Sequence, residues 1–272
     1  MNALEIRASE SGHAHPGHPN PATIAVLLDV DGTLIEIAPT PQEVRVPASL
    51  KHVLGTLRNR MGGALALVSG RPLADIDRLF APLRVAAVGG HGAENRLTAD
   101  GEIDRSRVKP FDPELRRRLL AIAAATPGVL AEDKGYSIAL HYRLAPDQEQ
   151  RIRHEINLVC SDLLDLKLEV LPGKSMFEVK PRIFNKGVAV RQLMKHPPFR
   201  GRRPIFFGDD VTDESVFKVM PEFDGLAFSV GKRFPGTSGY FATPREVRHW
   251  LYGFIGPLRP GDDARLPTAG QT

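Results

Sequence analysis

The sequence predicts an α/β protein: a doubly wound, mostly parallel sheet with helices on both faces, and a small α+β domain inserted into it. Three observations carry this. Apolar runs of strand length recur at residues 24–30, 64–68, 85–88 and 204–207. Helix-like segments lie between them, and runs apolar on both faces suit a parallel sheet covered on both sides. From about 108 to 182 the pattern changes to strands that alternate apolar and polar, which have one wet face.

Taken in order, the first strand is followed by a helix over 48–60, with Leu50, Val53, Leu54 and Leu57 on one stripe. After the strand at 64–68, Pro72 opens a helix carrying Leu73, Ile76, Leu79 and Phe80. In the insert, 113–125 reads as a helix. Residues 136–143 set Tyr136, Ile138, Leu140 and Tyr142 against Ser137, Ala139, His141 and Arg143, a half-buried strand. Residues 146–166 are helical again. Strands at 167–171 and 175–180 flank Pro172-Gly173-Lys174, a hairpin turn. The expected organisation is a core of 22–107 and 183–256, an inserted cap of 108–182, and tails at 1–21 and 257–272, the first disordered.

Acids nearly balance bases, at a net charge of +4, so no nucleic-acid footprint is present. Arg116-Arg117-Arg118 reads as a solvated helix face. The single Cys160 excludes an internal disulfide and, beside Leu158, Val159 and Leu163, reads as a buried thiol. No run is long enough to span a membrane, and the N-terminus lacks a signal-peptide apolar region. The expectation is a cytoplasmic monomer with a small-molecule substrate and no nucleic-acid, membrane or obligate protein partner. His13, His15 and His18 in the first tail are weak metal ligands at best.

Four motifs carry chemistry. The first strand ends in Asp29-Val30-Asp31-Gly32-Thr33. In an open α/β sheet ligands bind beyond the carboxyl ends of the strands. Two carboxylates this close repel unless a cation or proton intervenes, and oxygen ligands without His or Cys favour Mg²⁺. The second strand ends in Ser69-Gly70-Arg71-Pro72, where a helix N-terminus and a hydroxyl suit an anion; alone, this reads as an N-cap. Asn185-Lys186-Gly187 puts a lysine at a helix start, against the dipole, unless it meets an anion; a solvated lysine is the plain alternative. Gly208-Asp209-Asp210-Val211-Thr212-Asp213-Glu214 follows another apolar strand. Asp213 and Glu214 suit a first helical turn, whereas Asp209 stands at the strand end, placed to complete a metal site with Asp29.

In this order the four motifs resemble the haloacid-dehalogenase superfamily, whose core is a Rossmann-like doubly wound sheet. The resemblance implies that Asp29 is the nucleophile and Asp31 the acid and then base. Ser69, Gly70 and Lys186 would hold the phosphoryl group. Mg²⁺ would be held by Asp29, Asp31 through its backbone carbonyl, and Asp209, with Asp210 and Asp213 as further candidates. The stretches GGHGAE (89–94), EDKGYSIALHYR (132–143), PGKSMFEVKP (172–181), NKG and GDDVTDE further resemble the trehalose-6-phosphate phosphatase family, across about residues 22–255. That implies hydrolysis of trehalose 6-phosphate, with Arg71, His91, Glu132, Lys134, Arg143, Lys174 and Glu178 at the substrate. A phosphatase of another sugar phosphate, such as sucrose or glucosylglycerol phosphate, a phosphosugar mutase and a sugar-phosphate sensor remain alternatives.

Overall fold

The structure is a computed structural model, and it describes residues 6–8, 14–16, 19–37, 44–173 and 175–255. In chain order its strands are β1 (Ile6–Ala8), β2 (Ala14–Pro16), β3 (Ile24–Leu28), β4 (Leu65–Val68), β5 (Ala86–Gly89), β6 (Glu94–Arg96), β7 (Leu130–Asp133), β8 (Ile138–His141), β9 (Leu168–Gly173), β10 (Met176–Pro181), β11 (Arg203–Gly208), β12 (Leu226–Val230) and β13 (Gly239–Phe241). Its helices are α1 (Ala48–Arg60), α2 (Leu73–Phe80), α3 (Pro113–Ala124), α4 (Glu149–Asp162), α5 (Lys186–Leu193), α6 (Glu214–Phe217) and α7 (Pro244–Ile255). The chain divides into two compact units, Met1–Asp104 with Asn185–Thr272, and Arg105–Phe184.

The first unit holds a seven-stranded sheet in the order β13-β12-β11-β3-β4-β5-β6. All neighbours run parallel except β5 and β6. Every residue of β3, β4 and β5 is buried, as their unbroken apolar runs require. Strand order reverses at β3, which pairs with β4 on one side and β11 on the other. That reversal opens a crevice at the carboxyl ends of β3 and β11, where an open α/β sheet binds ligands.

Three strands of this sheet escaped the sequence reading: β6, β12 and β13. Glu94-Asn95-Arg96 looks like loop, yet Arg96 is fully buried. Its guanidinium donates to both Asp77 oxygens at 2.6 and 2.7 Å and to the Val85 carbonyl. A paired charge is tolerated in a strand that an unpaired one would break. β13 has three residues, too few for a period; Phe241 holds it by packing on Phe207 and Phe228. Two short strands lie within the tail expected at 1–21. β1 and β2 pair antiparallel there, from Ile6 opposite Pro16 to Ala8 opposite Ala14. The rest of residues 1–18, and the expected tail at 257–272, lie outside the described residues. Among the described residues no helix is long and apolar enough to cross a membrane.

The second unit is a four-stranded antiparallel sheet in the order β7-β8-β10-β9. Ile138, Leu140, Phe177 and Val179 form its core with Leu115, Leu119, Ile152 and Ile156 of α3 and α4. The strand expected over 136–143 is shorter, because Gly135 (φ +81°) and Tyr136 form the two-residue loop of a hairpin between Lys134 and Ser137. Tyr136 turns inward and meets Phe184 edge-on. Arg116, Arg117 and Arg118 are each paired, with Asp133, Glu114 and Asp162. Cys160 is half-buried, and burial raises its thiol pKa.

Candidate active site

The site begins where β3 stops. The Asp29 N–H still donates to the Phe207 carbonyl of β11, so its carboxylate is delivered at the strand end. The chain then folds into a tight turn: Leu34 and Ile35 N–H donate to the Val30 carbonyl, and Gly32 N–H to that of Ile35. Gly32 (φ +84°) is required twice, by its backbone and because a Cβ there would lie 2.0 Å from Asp209 Oδ2. Thr33, fully buried, donates its hydroxyl to Asp209 Oδ1 at 3.0 Å. The DVDGT turn therefore packs directly on the acid from β11.

Lys186 starts α5, whose N-terminus is capped by the Asn185 side chain accepting from Val188 N–H. Its ammonium is buried and donates to Asp29 Oδ1 at 2.7 Å and Asp213 Oδ1 at 2.8 Å. Asp213 is completely buried. Its second oxygen accepts from the N–H groups of Asp209 and Asp210 at 3.0 and 3.1 Å. It thus fixes both the lysine and the loop that presents Asp209. Asp210 instead caps the short helical turn at Val211–Asp213 by accepting from Val211 N–H. One oxygen from each of Asp29, Asp209 and Asp213 can be chosen so that all lie within 4.8 Å of one another. The donor set is all oxygen, and its charge exceeds that of the single lysine beside it. This suits a hard divalent cation.

Burial, with Asp213 and Asp209 nearby, raises the Asp29 pKa well above the usual carboxylate range despite Lys186. Burial and then Asp213 push Asp209 up to about 6. Burial opposes the charge on Lys186, but the two aspartates outweigh it and raise its pKa. A carboxyl whose proton affinity is raised by folding favours the folded state at low pH. For Asp209 that contribution is lost as pH rises through about 6. A bound cation takes the proton's place and removes the penalty. We therefore expect Mg²⁺ to raise the melting temperature more at about pH 7.5 than at about pH 5; equal rises would contradict a cation at these acids.

Ser69, at the end of β4, is buried and accepts from Arg71 N–H at 3.1 Å. The Gly89–Gly92 loop braces this turn: Gly90 N–H donates to the Arg71 carbonyl and His91 N–H to that of Ser69. His91 adopts φ +55° and lays its imidazole on Gly70, where a Cβ would lie 2.5 Å from the ring. Arg71 clamps Asp31: Nε donates to Oδ2 at 2.5 Å and Nη2 to Oδ1 at 2.7 Å. This pairing is not visible in the sequence, where Arg71 reads as a substrate contact.

In the second unit, Glu132, Ala139 and Glu178 stand opposite one another on one face of the sheet. Glu178 is buried and accepts from Ser137 Oγ at 2.6 Å and Lys134 Nζ at 3.2 Å. Glu132 accepts from His141 Nε2 at 3.0 Å, and this hydrogen bond is the main cause of its lowered pKa. Lys180 donates to Glu169 at 2.6 Å and to the Phe184 carbonyl. Arg143 sits exposed in the turn after β8, away from the strand position expected for it. Lys174 lies outside the described residues. Thr33 and Ser137 are not singled out as site residues by the sequence; each is recognisable only by the acid that it touches.

The trehalose-phosphatase family model matches residues 27–241. A probable trehalose-phosphate phosphatase of Sinorhizobium fredii is 40% identical over 241 residues, covering 86% of this chain and 87% of that protein. The trehalose-6-phosphate phosphatase of Escherichia coli is 36% identical over 231 residues, covering 85% and 86%. Among solved structures, a trehalose-6-phosphate phosphatase related protein superposes with a TM-score of 0.67 at 25% identity, over 85% of this chain and 96% of that one. With an acid-lined crevice at the β3–β11 switch point and a match spanning most of its length, this chain belongs to the trehalose-phosphatase family.

Proposed function

We propose that this chain is a Mg²⁺-dependent phosphatase that hydrolyses trehalose 6-phosphate through an aspartyl-phosphate on Asp29. One observation carries the chemistry: a buried carboxylate at the switch point, held by Lys186, with Asp209 and Asp213 beside it. An Asp29 oxygen forms the bond to phosphorus as the bond to the sugar oxygen breaks. Asp31 gives that oxygen a proton, then takes one from the water that hydrolyses the acyl phosphate. Arg71 holds the Asp31 carboxyl group in one plane by two parallel hydrogen bonds. Ser69, Gly70 and Lys186 hold the phosphoryl oxygens, and charge at this place is what phosphoryl transfer needs most.

Asp29, Asp209 and the Asp31 backbone carbonyl would hold Mg²⁺, with Asp213 keeping Lys186 and the 209–210 loop in place. Bound there, the ion supplies the positive charge that lets a carboxylate approach a phosphate dianion. Glu132, Lys134, Arg143, Lys174 and Glu178 recognise the disaccharide, with Arg71 and His91 at the phosphate end. Carboxylates accept from sugar hydroxyls and lysines donate to them. The test is phosphate release from a panel of trehalose, sucrose, glucosylglycerol and glucose phosphates. Trehalose 6-phosphate is expected to give the highest kcat/KM; EDTA should silence the enzyme and Mg²⁺ restore it. A different preferred sugar, or full activity after rigorous metal removal, would overturn the corresponding half of the reading.

A further inference from the structure

We infer that Ser137 is a specificity-determining positioning residue: it sets the Glu178 carboxylate for the sugar end of the substrate. The inference rests on the reading above that Glu178 recognises the sugar. Sheet geometry comes first. Glu132, Ala139 and Glu178 share a row across β7, β8 and β10. Side chains alternate faces along a strand, so Ser137, two residues before Ala139, and Lys134, two after Glu132, stand on that same face. The opposite face carries Ile138, Leu140, Phe177 and Val179, which α3 and α4 cover. The polar face is therefore not part of this unit's apolar core.

The contacts come next. β8 lies between β7 and β10, so Lys134 must cross it to reach Glu178. It can do so because only Ser137, just before β8, and Ala139 of β8 stand along that path on this face; a bulky side chain at 137 would stand in the way. Ser137 is fully buried and donates to one Glu178 oxygen at 2.6 Å, while Lys134 takes the other at 3.2 Å. With a donor on each oxygen the carboxylate plane is fixed. Hydrogen bonds to an ionised group are the strong ones, and the Ser137 bond is the shorter of the two.

Ser137 is itself held independently of Glu178. Its carbonyl accepts from Lys134 N–H at 3.0 Å, which closes the hairpin. Asp133 accepts from Gly135 N–H at 2.8 Å and pairs with Arg116 of α3, which joins the hairpin tip to that helix. The Ser137 backbone is thus set without Glu178, and the hydroxyl is presented to the carboxylate from a fixed Cα.

A residue that only stabilises the fold would alter the amount of active protein, which appears in kcat. A residue that aims a sugar-binding carboxylate alters ground-state and transition-state binding alike, which appears in KM. For Ser137→Ala we expect KM for the preferred sugar phosphate to rise about tenfold, with kcat within about threefold of the parent. Ser137→Cys keeps the shape and weakens the donor, and its KM should rise as well; it carries the test if the alanine variant does not fold. The parent is first assayed on trehalose 6-phosphate, sucrose 6-phosphate and glucose 6-phosphate. A preference for another sugar would overturn the trehalose reading alone, and the variants are then judged on that sugar. An unmoved KM in either folded variant, or a loss confined to kcat, would overturn the role of Ser137.

Discussion

Asp29→Asn is expected to lower kcat by at least about a thousandfold while leaving the protein folded. The amide keeps the shape of the side chain but is not a nucleophile toward phosphorus. The structure adds a second expectation. Asp29 shares its crevice with Asp209 and Asp213, and burial together with those acids holds its pKa up. Removing one charge relieves that crowding and leaves Lys186 with Asp213, so the metal-free variant should melt no lower than the parent. Steady-state phosphate release and a melting curve on the same sequence-verified sample check both halves. Appreciable turnover would remove Asp29 from the role of nucleophile.

Lys186→Met should affect both activity and stability. The ammonium is buried and touches two carboxylates, and breaking a buried pair by removing one partner costs about 3–5 kcal/mol, because the charge left behind has no compensation. Here three acids would be left around the vacated position. Denaturant unfolding without metal should show that loss, and Mg²⁺ should recover part of it by supplying charge in the same crevice. The kcat should fall by at least about a hundredfold, since the proposed mechanism loses one of the cations it sets against the transferring phosphoryl group. Unchanged stability would mean that the pairs drawn around Lys186 carry little energy.

The parts of this account that were legible in the sequence share a physical property. Asp29, Ser69 and Asp209 each end an apolar run, so their neighbours along the chain announce them. Lys186 was legible because it opposes a helix dipole. The inserted sheet showed itself by its alternation. What the sequence hid depends on partners distant in the chain. Nothing near Arg71 says that it clamps Asp31, forty positions earlier. Asp213 reads as a first-turn acid, and only the fold shows that it holds Lys186 and two backbone N–H groups at once. The strands β6 and β13 are too short to carry a period, and Ser137 is an ordinary polar residue until β10 brings Glu178 to it.

The aspartyl-phosphate on Asp29 is the centre of the proposed mechanism, and single-turnover trapping tests it most directly. The enzyme with Mg²⁺ is mixed with substrate carrying a labelled phosphoryl group, quenched in acid within the first turnover, digested and mapped by mass spectrometry. The expected result is one phosphoryl group on the peptide containing Asp29, formed and lost during the turnover, labile to hydroxylamine, and absent from Asp29→Asn. Phosphate released with no phosphorylated peptide at any time across the turnover, or a label that maps to another residue, would contradict it.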